Sequence, residues 1–546
     1  MKKKLAFLAG ILLFSGFLFF WMQQMKVIPQ PGSLSFGAYA GEVRQAASLQ
    51  KRFPATLDAR QIRLCFRGEE LACHREEKLW YLPVDMDTKT WEEGSFTDAG
   101  GRIRLLPLQD YTLLDKEKAV AQGTHIPFLA WDEKEGVCQV VYVVFTGLPV
   151  VRMETTADLD VDTVFAGSVV FYQACDRKDW TLTSVFRAHE RGQTTRAYPK
   201  RGYRVDLITL TSTGVMNKNR ESVLGMRKSD SWIFYAIYSD GTKIRDKFNT
   251  ELWNRFGAKG PDEAHFGTHM EYAELVANGE YRGLYGILEP IDTQQLQISD
   301  QEYLYKRNYG RELLPELMEE LTPEEYLSGL GMEIKGKDGA GTRADWDCFR
   351  QFAELCQEDD ETFRKRALGL VDLDSVANLW IYLQLTNAGD NVYKNMFFAF
   401  KNGPEGHRMY LVPWDMDLTW GNVYVDNSEA LYVTWCPENV DQYLEWPFAD
   451  RLIRLDVGGI RHRIAERWQE LRETVFSQRE LDDLFWQCRH RIEDSGVLAR
   501  EAERWPQGRW DGDYDSMYDY MEERVDWMDV WVKEHLLAGG RGNPTS

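Results

Sequence analysis

The sequence predicts an α+β chain in which an N-terminal transmembrane helix precedes a small antiparallel β-sandwich and then a larger mixed domain with a helical C-terminal region. Three observations predict it. An uncharged apolar run follows MKKK at the start. Short β-rich runs broken by Gly, Asp and Pro fill residues 55–150. Beyond residue 151, strand alternation and helical periodicity share the text until only the helical period is left.

The run LAFLAGILLFSGFLFFWM (5–22) spans ~27 Å as a helix at 1.5 Å per residue, close to a bilayer core. Lys2, Lys3 and Lys4 hold the N-terminus in the cytoplasm and Trp21 lies at the far interface, so the bulk of the chain is expected outside the cytoplasm, anchored to the membrane. The alternative is secretion after signal cleavage. The small-x-small site Ala38-Tyr39-Ala40 lies far from the run, which favours the uncleaved anchor. The segments are therefore an anchor at 1–24, a linker at 25–54, a β-rich accessory domain at 55–150, a mixed domain at 151–536 divided near residue 300, and a flexible tail at 537–546.

Within the accessory domain, IRLCF, LWYLPV, RIRLLPL and VCQVVYVVFTGLPVV read as strands. In the mixed domain SVVFY (168–172) and GYRVDL (202–207) are strands, and KIRDKFNTELWNRFG (243–257) is a helix closed by Gly257. EYAELVANGEYRGLYGILEPID (271–292) is a hairpin turning on Asn278-Gly279. LDSVANLWIYLQLTNAG (373–389) is a buried helix, MFFAF and MYLVPW form a second hairpin, and residues 440–536 are helical.

Composition excludes some functions. A net charge of -21 with no Lys/Arg stripe opposes nucleic-acid binding. The eight cysteines lack CxxC or other metal-ligand spacing, so structural zinc is excluded; export permits a disulfide, and Cys65 with Cys73 is placed to close a hairpin. No GxSxG, Walker A or GxGxxG element is present. His265 and His269, in HFGTH, lack the glutamate of HExxH and read as structural.

DNVYKN (390–395) places Asp390 five positions before Asn395, the spacing of acid and amide in a phosphoryl-transfer catalytic loop. Downstream, YLVPWDMDLTWG (410–421) brings Asp415 and Asp417, whose i, i+2 spacing on an extended segment aims both carboxylates to one face as hard oxygen ligands. Upstream, RGQTTRAYPKRGYRV (191–205) sets a Gly and two hydroxyls before Lys200, with Arg204 on the following strand, a loop able to lay amides and a cation on phosphates. Each has an ordinary reading alone: Asp-x-Asp is common in turns, and the basic loop is a hairpin tip.

Taken in order, RGQTTRAYPKRGYRV, the 243–257 helix, ELVANGEYRGLYGILEPID, and GDNVYKNMFFAF with YLVPWDMDLTWG resemble the spore coat protein H (CotH) kinase family, whose members are similar to atypical protein kinases. The resemblance covers about 190–422. It implies an atypical protein-kinase-like bilobal domain that uses ATP and Mg²⁺, with Asp390 as the catalytic acid, Asn395 and Asp415 as metal ligands and Asp417 supporting. It implies Lys200 for phosphate contact and sets Glu289 near the nucleotide, at the hinge. The implied partner is a protein with Ser/Thr acceptors at the envelope or spore surface. No His-Arg precedes Asp390, and Pro-Trp-Asp-Met-Asp stands where kinases have Asp-Phe-Gly. Two other readings stay open: a catalytically inactive surface-binding pseudokinase, and a glycosyltransferase holding a metal at Asp415-x-Asp417.

Overall fold

The computed structural model describes residues 33–34, 40–86, 96–111, 114–159, 163–192, 194–211, 216–310, 314–426, 431–508, 512 and 514–537. The expected anchor (1–24) and most of the tail lie outside the described residues. No helix among the described residues is long and apolar enough to cross a membrane. The chain divides into two compact units, one up to Val150 with Tyr172–Thr181, the other Val151–Phe171 with Leu182–Ser546.

The first unit contains a five-stranded sheet in the order Ala72–His74, Leu79–Pro83, Val137–Thr146, Ile126–Asp132, Ile103–Pro107, and a three-stranded sheet centred on Leu64–Phe66. The antiparallel expectation needs correction, because Leu79–Pro83 runs parallel to Val137–Thr146. Every residue of Leu79–Pro83 is buried, the continuous apolar signature of a strand covered on both faces rather than one alternating in and out. Within the stretch expected as linker, Ala40–Arg52 is a helix. Ala46 and Leu49 on that helix, and Phe53 just after it, fall at helical spacing and pack on Leu106, Leu129 and Trp131. The Cys65–Cys73 pairing does not form: Cys65 faces Glu70 across its hairpin, Cys73 belongs to the other sheet, and all eight cysteines are free.

The second unit begins with strands β1 (Val150–Thr155), β2 (Phe165–Tyr172), β3 (Thr181–Arg191), β4 (Gly202–Leu210) and β5 (Ser231–Tyr235), then helix α1 (Arg245–Phe256) and the hairpin β6 (Met270–Ala277) and β7 (Glu280–Leu288). The order is β3-β2-β1-β6-β7-β5-β4, and β4 pairs with β3, so the sheet closes into a seven-stranded barrel. Alternate residues point inward, with Tyr203, Val205 and Leu207 from β4, Trp232 and Phe234 from β5, and Tyr285 and Ile287 from β7 filling it. Asn278 (φ 53°) and Gly279 (φ 76°) make the two-residue β6–β7 turn, as the sequence predicts.

A four-stranded antiparallel sheet follows, built from β8 (Tyr303–Arg307), β9 (Met332–Lys335), β10 (Met396–Gly403) and β11 (Gly406–Pro413) in the order β9-β8-β10-β11. Between β9 and β10 come helices α2 (Asp347–Gln357), α3 (Asp360–Leu370) and α4 (Leu373–Thr386). After β11 come α5 (Pro447–Leu455), α6 (Ile460–Glu473), α7 (Gln478–Glu493), α8 (Val497–Arg504) and α9 (Tyr514–Val532), the helical C-terminal region the sequence predicts. Helix α4 is apolar on nearly all sides because it packs on β11, α6 and α9 together.

Candidate active site

Helix α4 ends at Asn387, held left-handed at φ 50°, and a 3₁₀ turn, Gly389–Val392, leads toward β10. Asp390 sits in that turn. The Asn395 side-chain amide donates to its carboxylate at 2.8 Å, and the Lys394 ammonium pairs with it at 3.1 Å. Burial raises the Asp390 pKa, and Lys394 pulls it back down. The Trp414 N–H donates to the Asn395 carbonyl at 3.0 Å, and the Asn391 side chain donates to the Trp414 carbonyl at 2.7 Å. Turn and strand end are thereby stitched together, so Asp415 follows directly from a backbone fixed to the Asp390 loop.

Asp415 (φ 63°) and Asn395 (φ 56°) are both left-handed, a conformation that costs a non-glycine residue energy and gathers at functional sites. The Asp415 carboxylate has no hydrogen-bond or ion-pair partner among the described residues. Asp417 accepts from the Tyr235 and Ser239 hydroxyls at 3.2 Å each. Burial and then the Asp415 charge push it up to about 7. A third carboxylate, Asp246 in the first turn of α1, accepts the Met416 N–H at 2.9 Å, and burial with the charges of Asp417 and Asp415 raises its pKa well above the usual range. One turn on, the Asn249 amide donates to the Met416 carbonyl at 2.9 Å and the Thr419 hydroxyl at 2.8 Å, and its oxygen accepts the Trp420 indole N–H at 2.9 Å. Helix α1 thus fixes the whole Asp415–Trp420 segment.

Two cations face this acidic group. Arg191, at the end of β3, lies 5.5 Å from the Trp414 ring centroid. Lys306, on β8, lies 5.8 Å from that of Phe397. Neither has a hydrogen-bond or ion-pair partner among the described residues. Burial lowers the Arg191 pKa although Asp415 raises it. Burial, then Arg191 and Lys335, hold Lys306 at about 8.

The remaining residues singled out in the sequence have other partners. Lys200 borders the cavity, but its ammonium pairs with Glu501 on α8 at 2.5 Å and donates to the Leu284 carbonyl at 2.6 Å. Glu289 turns its carboxylate to His269 at 3.0 Å and to the Arg227 N–H at 2.8 Å, while the adjacent Pro290 borders the cleft. Arg204 lies 3.5 Å from Asp206 and lines that cleft. His265 and His269 stack at 4.5 Å, ring on ring.

A cavity of about 490 Å³ holds Lys394, Asn395, Asp415, Arg191 and Lys306 in its wall, and a neighbouring cleft of about 880 Å³ shares Arg191, Lys306 and Trp414 with it and adds Ile233, Pro290 and Phe397. Both are lined by cations and carboxylates, the cleft adding Arg204, Asp206, Asp292 and Lys335 beside those apolar side chains. Among the described residues no group of three or more His, Cys, Asp or Glu side chains is set to hold an ion unaided. The Asp415 carboxylate and the Asn395 side chain, both in the cavity wall, would fit a divalent ion such as Mg²⁺, which takes one or two protein carboxylates and completes its shell with phosphate oxygens and water. Arg191 and Lys306, in the same wall, have the charge that phosphate oxygens would need.

Sequence reasoning missed Asp246, Asn249, Arg191 and Lys306. The first two carried a signal, being three apart on one face of a helix already identified. Lys306 carried none, being one of two adjacent basic residues at the end of β8, YLYKR. A family model described as CotH kinase protein matches residues 188–528, a range that holds every residue named in this site. No curated protein matches the chain.

Proposed function

Because the chain belongs to the CotH kinase protein family, we propose that it moves the γ-phosphoryl group of Mg-ATP to a Ser or Thr hydroxyl of a protein at the cell envelope or spore surface, with its bulk anchored outside the cytoplasm. The observation that carries this reading is that Asn395 and Asp415 line one cavity together with the cations Arg191 and Lys306, while Asp390, just behind, holds the Asn395 side chain by a 2.8 Å hydrogen bond. Asn395 and Asp415 would hold the metal. Arg191 and Lys306 would hold the phosphates, a role the sequence offered to Lys200, whose ammonium is engaged by Glu501.

When bound, the nucleotide and its metal supply the transferable phosphoryl group and positive charge against the charge that develops on it. Asp390 accepts the hydroxyl proton as the acceptor oxygen bonds to phosphorus and the bond to the ADP oxygen breaks with its electron pair. Lys394 favours the ionised, proton-accepting form of Asp390, and Asn395 aims the carboxylate. Arg191 and Lys306 sit in a poorly solvated wall, where their attraction for phosphate is stronger than in water.

Thermal unfolding with ATP and Mg²⁺ tests the site. At a hundred times its dissociation constant a ligand adds about 2.7 kcal/mol. Asp415→Asn, which tolerates the left-handed backbone, removes the Mg²⁺-dependent part of the shift; a shift unchanged in that variant refutes the metal assignment.

A further inference from the structure

A second cavity, of about 520 Å³, lies on the other side of the Asp390 turn. Its wall is mainly aromatic: Phe352, Phe363, Phe398 and Phe448, with Val392 and Tyr393 contributed by the turn. The rings brace one another, Phe352 meeting Phe448 edge-on at 5.0 Å and Phe398 at a tilt at 5.6 Å, so the wall is formed before anything enters. Its volume falls in the range of ligand-binding pockets. Tyr393, also in the wall, keeps 49% of its surface exposed. Helix α2 supplies the exposed rim through Gln357.

One stretch of chain therefore walls both spaces. Lys394 and Asn395 face the cavity with Asp415, while Val392 and Tyr393 face the aromatic cavity. Three Cα steps separate Asp390 from Tyr393, at most about 11 Å along the chain. An extended peptide advances about 3.3 Å per residue, so a side chain lodged against Tyr393 belongs to a residue within about three positions of one whose hydroxyl reaches Asp390.

We propose that this aromatic cavity is the docking site for the acceptor, taking one bulky apolar side chain of the acceptor polypeptide within about three residues of the Ser or Thr that is phosphorylated. The inference rests on the phosphotransfer reading and adds a substrate class to it: acceptors carry an aromatic or large aliphatic residue at a fixed offset from the hydroxyl. The Arg307 guanidinium, held down to about 10 by burial, borders the same space.

The test uses the full-length chain with short Ser-centred peptides in which each flanking position carries Phe or Ala in turn. One position within about three residues of the Ser is expected to show kcat/KM at least tenfold higher with Phe. Gln357→Trp, which fills the cavity mouth from its rim, is expected to bring that ratio to one. A second readout needs no turnover: in Gln357→Cys, without nucleotide, the selected Phe peptide slows alkylation of the new thiol by N-ethylmaleimide, followed by mass spectrometry, and its Ala counterpart does not. Transfer to peptides with equal kcat/KM for Phe and Ala at every position overturns the docking site and leaves the phosphotransfer reading intact. Protection without any transfer leaves the docking cavity standing and overturns phosphotransfer. An alkylation rate indifferent to the Phe peptide overturns the docking site.

Discussion

Lys200→Met separates a structural lysine from a phosphate-binding one. Lys200 is fully buried, with its ammonium between the Glu501 carboxylate, the Leu284 carbonyl and the face of Tyr285 at 4.9 Å. Glu501 also accepts the Leu284 N–H at 2.8 Å, so the pair ties the loop after β3 to β7 and α8. Burial holds Lys200 at about 8 while Glu501 opposes the fall, which leaves it charged at neutral pH. Removing one partner of a buried pair strands the other and costs about 3–5 kcal/mol. With ~2.1 cal/mol/K of unfolding entropy per residue over Val151–Phe171 and Leu182–Ser546, that lowers the unfolding temperature by ~4–6 °C. Lys200→Met/Glu501→Leu recovers at least half of the loss, because no uncompensated charge remains. In nucleotide titrations Lys200→Met keeps its Mg-ATP dissociation constant within about twofold. Lys306→Met, losing a charge-assisted contact of about 1.5–3 kcal/mol, weakens binding by roughly tenfold or more. Stability untouched in Lys200→Met together with a tenfold loss of ATP affinity refutes the reasoning.

Other perturbations follow from the same geometry. Asn249→Ala deletes three buried hydrogen bonds to the Met416–Trp420 segment and is expected to cost about 2–4 kcal/mol in urea unfolding and to weaken Mg-ATP binding as Asp415 loosens. In Gly283→Ala the new Cβ falls 2.1 Å from the Glu501 carboxylate at φ 92°, so calorimetry is expected to show at least the destabilisation of Lys200→Met. The stacked histidines give opposite pH limbs. Burial and the charge of His269 hold His265 at about 4, so its contribution to stability is whole above its ordinary 6.5 and is lost as pH falls from 6.5 toward 4. His269, raised by Glu289, contributes fully below 6.5 and fades as pH rises through its raised value. Unfolding temperature followed from pH 7 to pH 4 is expected to drop less steeply in His265→Gln.

The site was most legible where chemistry and spacing are local. Asp390 and Asn395, picked out by their five-residue spacing, lie within hydrogen-bond distance, and the Asn278-Gly279 turn and the helices at 243–257 and 373–389 follow directly from turn chemistry and periodicity. Contacts between distant segments were not legible. Glu501 reaches Lys200 across 301 positions, and no pattern near either residue announces the other. The barrel was equally hidden, because its closure depends on β4 pairing with β3 as well as with β5, while the alternation in each strand would fit an open sheet just as well. Parallel pairing of Leu79–Pro83 with Val137–Thr146 escaped for a related reason: a short apolar run does not state the direction of its neighbour.

The most direct measurement of the central claim is transfer of label from γ-labelled ATP. The full-length chain with Mg²⁺ and a generic Ser/Thr-rich protein is compared with Asp390→Asn and Asp415→Asn, each shown folded by circular dichroism. Label on Ser or Thr with the native chain, lost by at least a hundredfold in both variants, is the predicted result. Absence of label with the native chain, or equal labelling in all three, contradicts it.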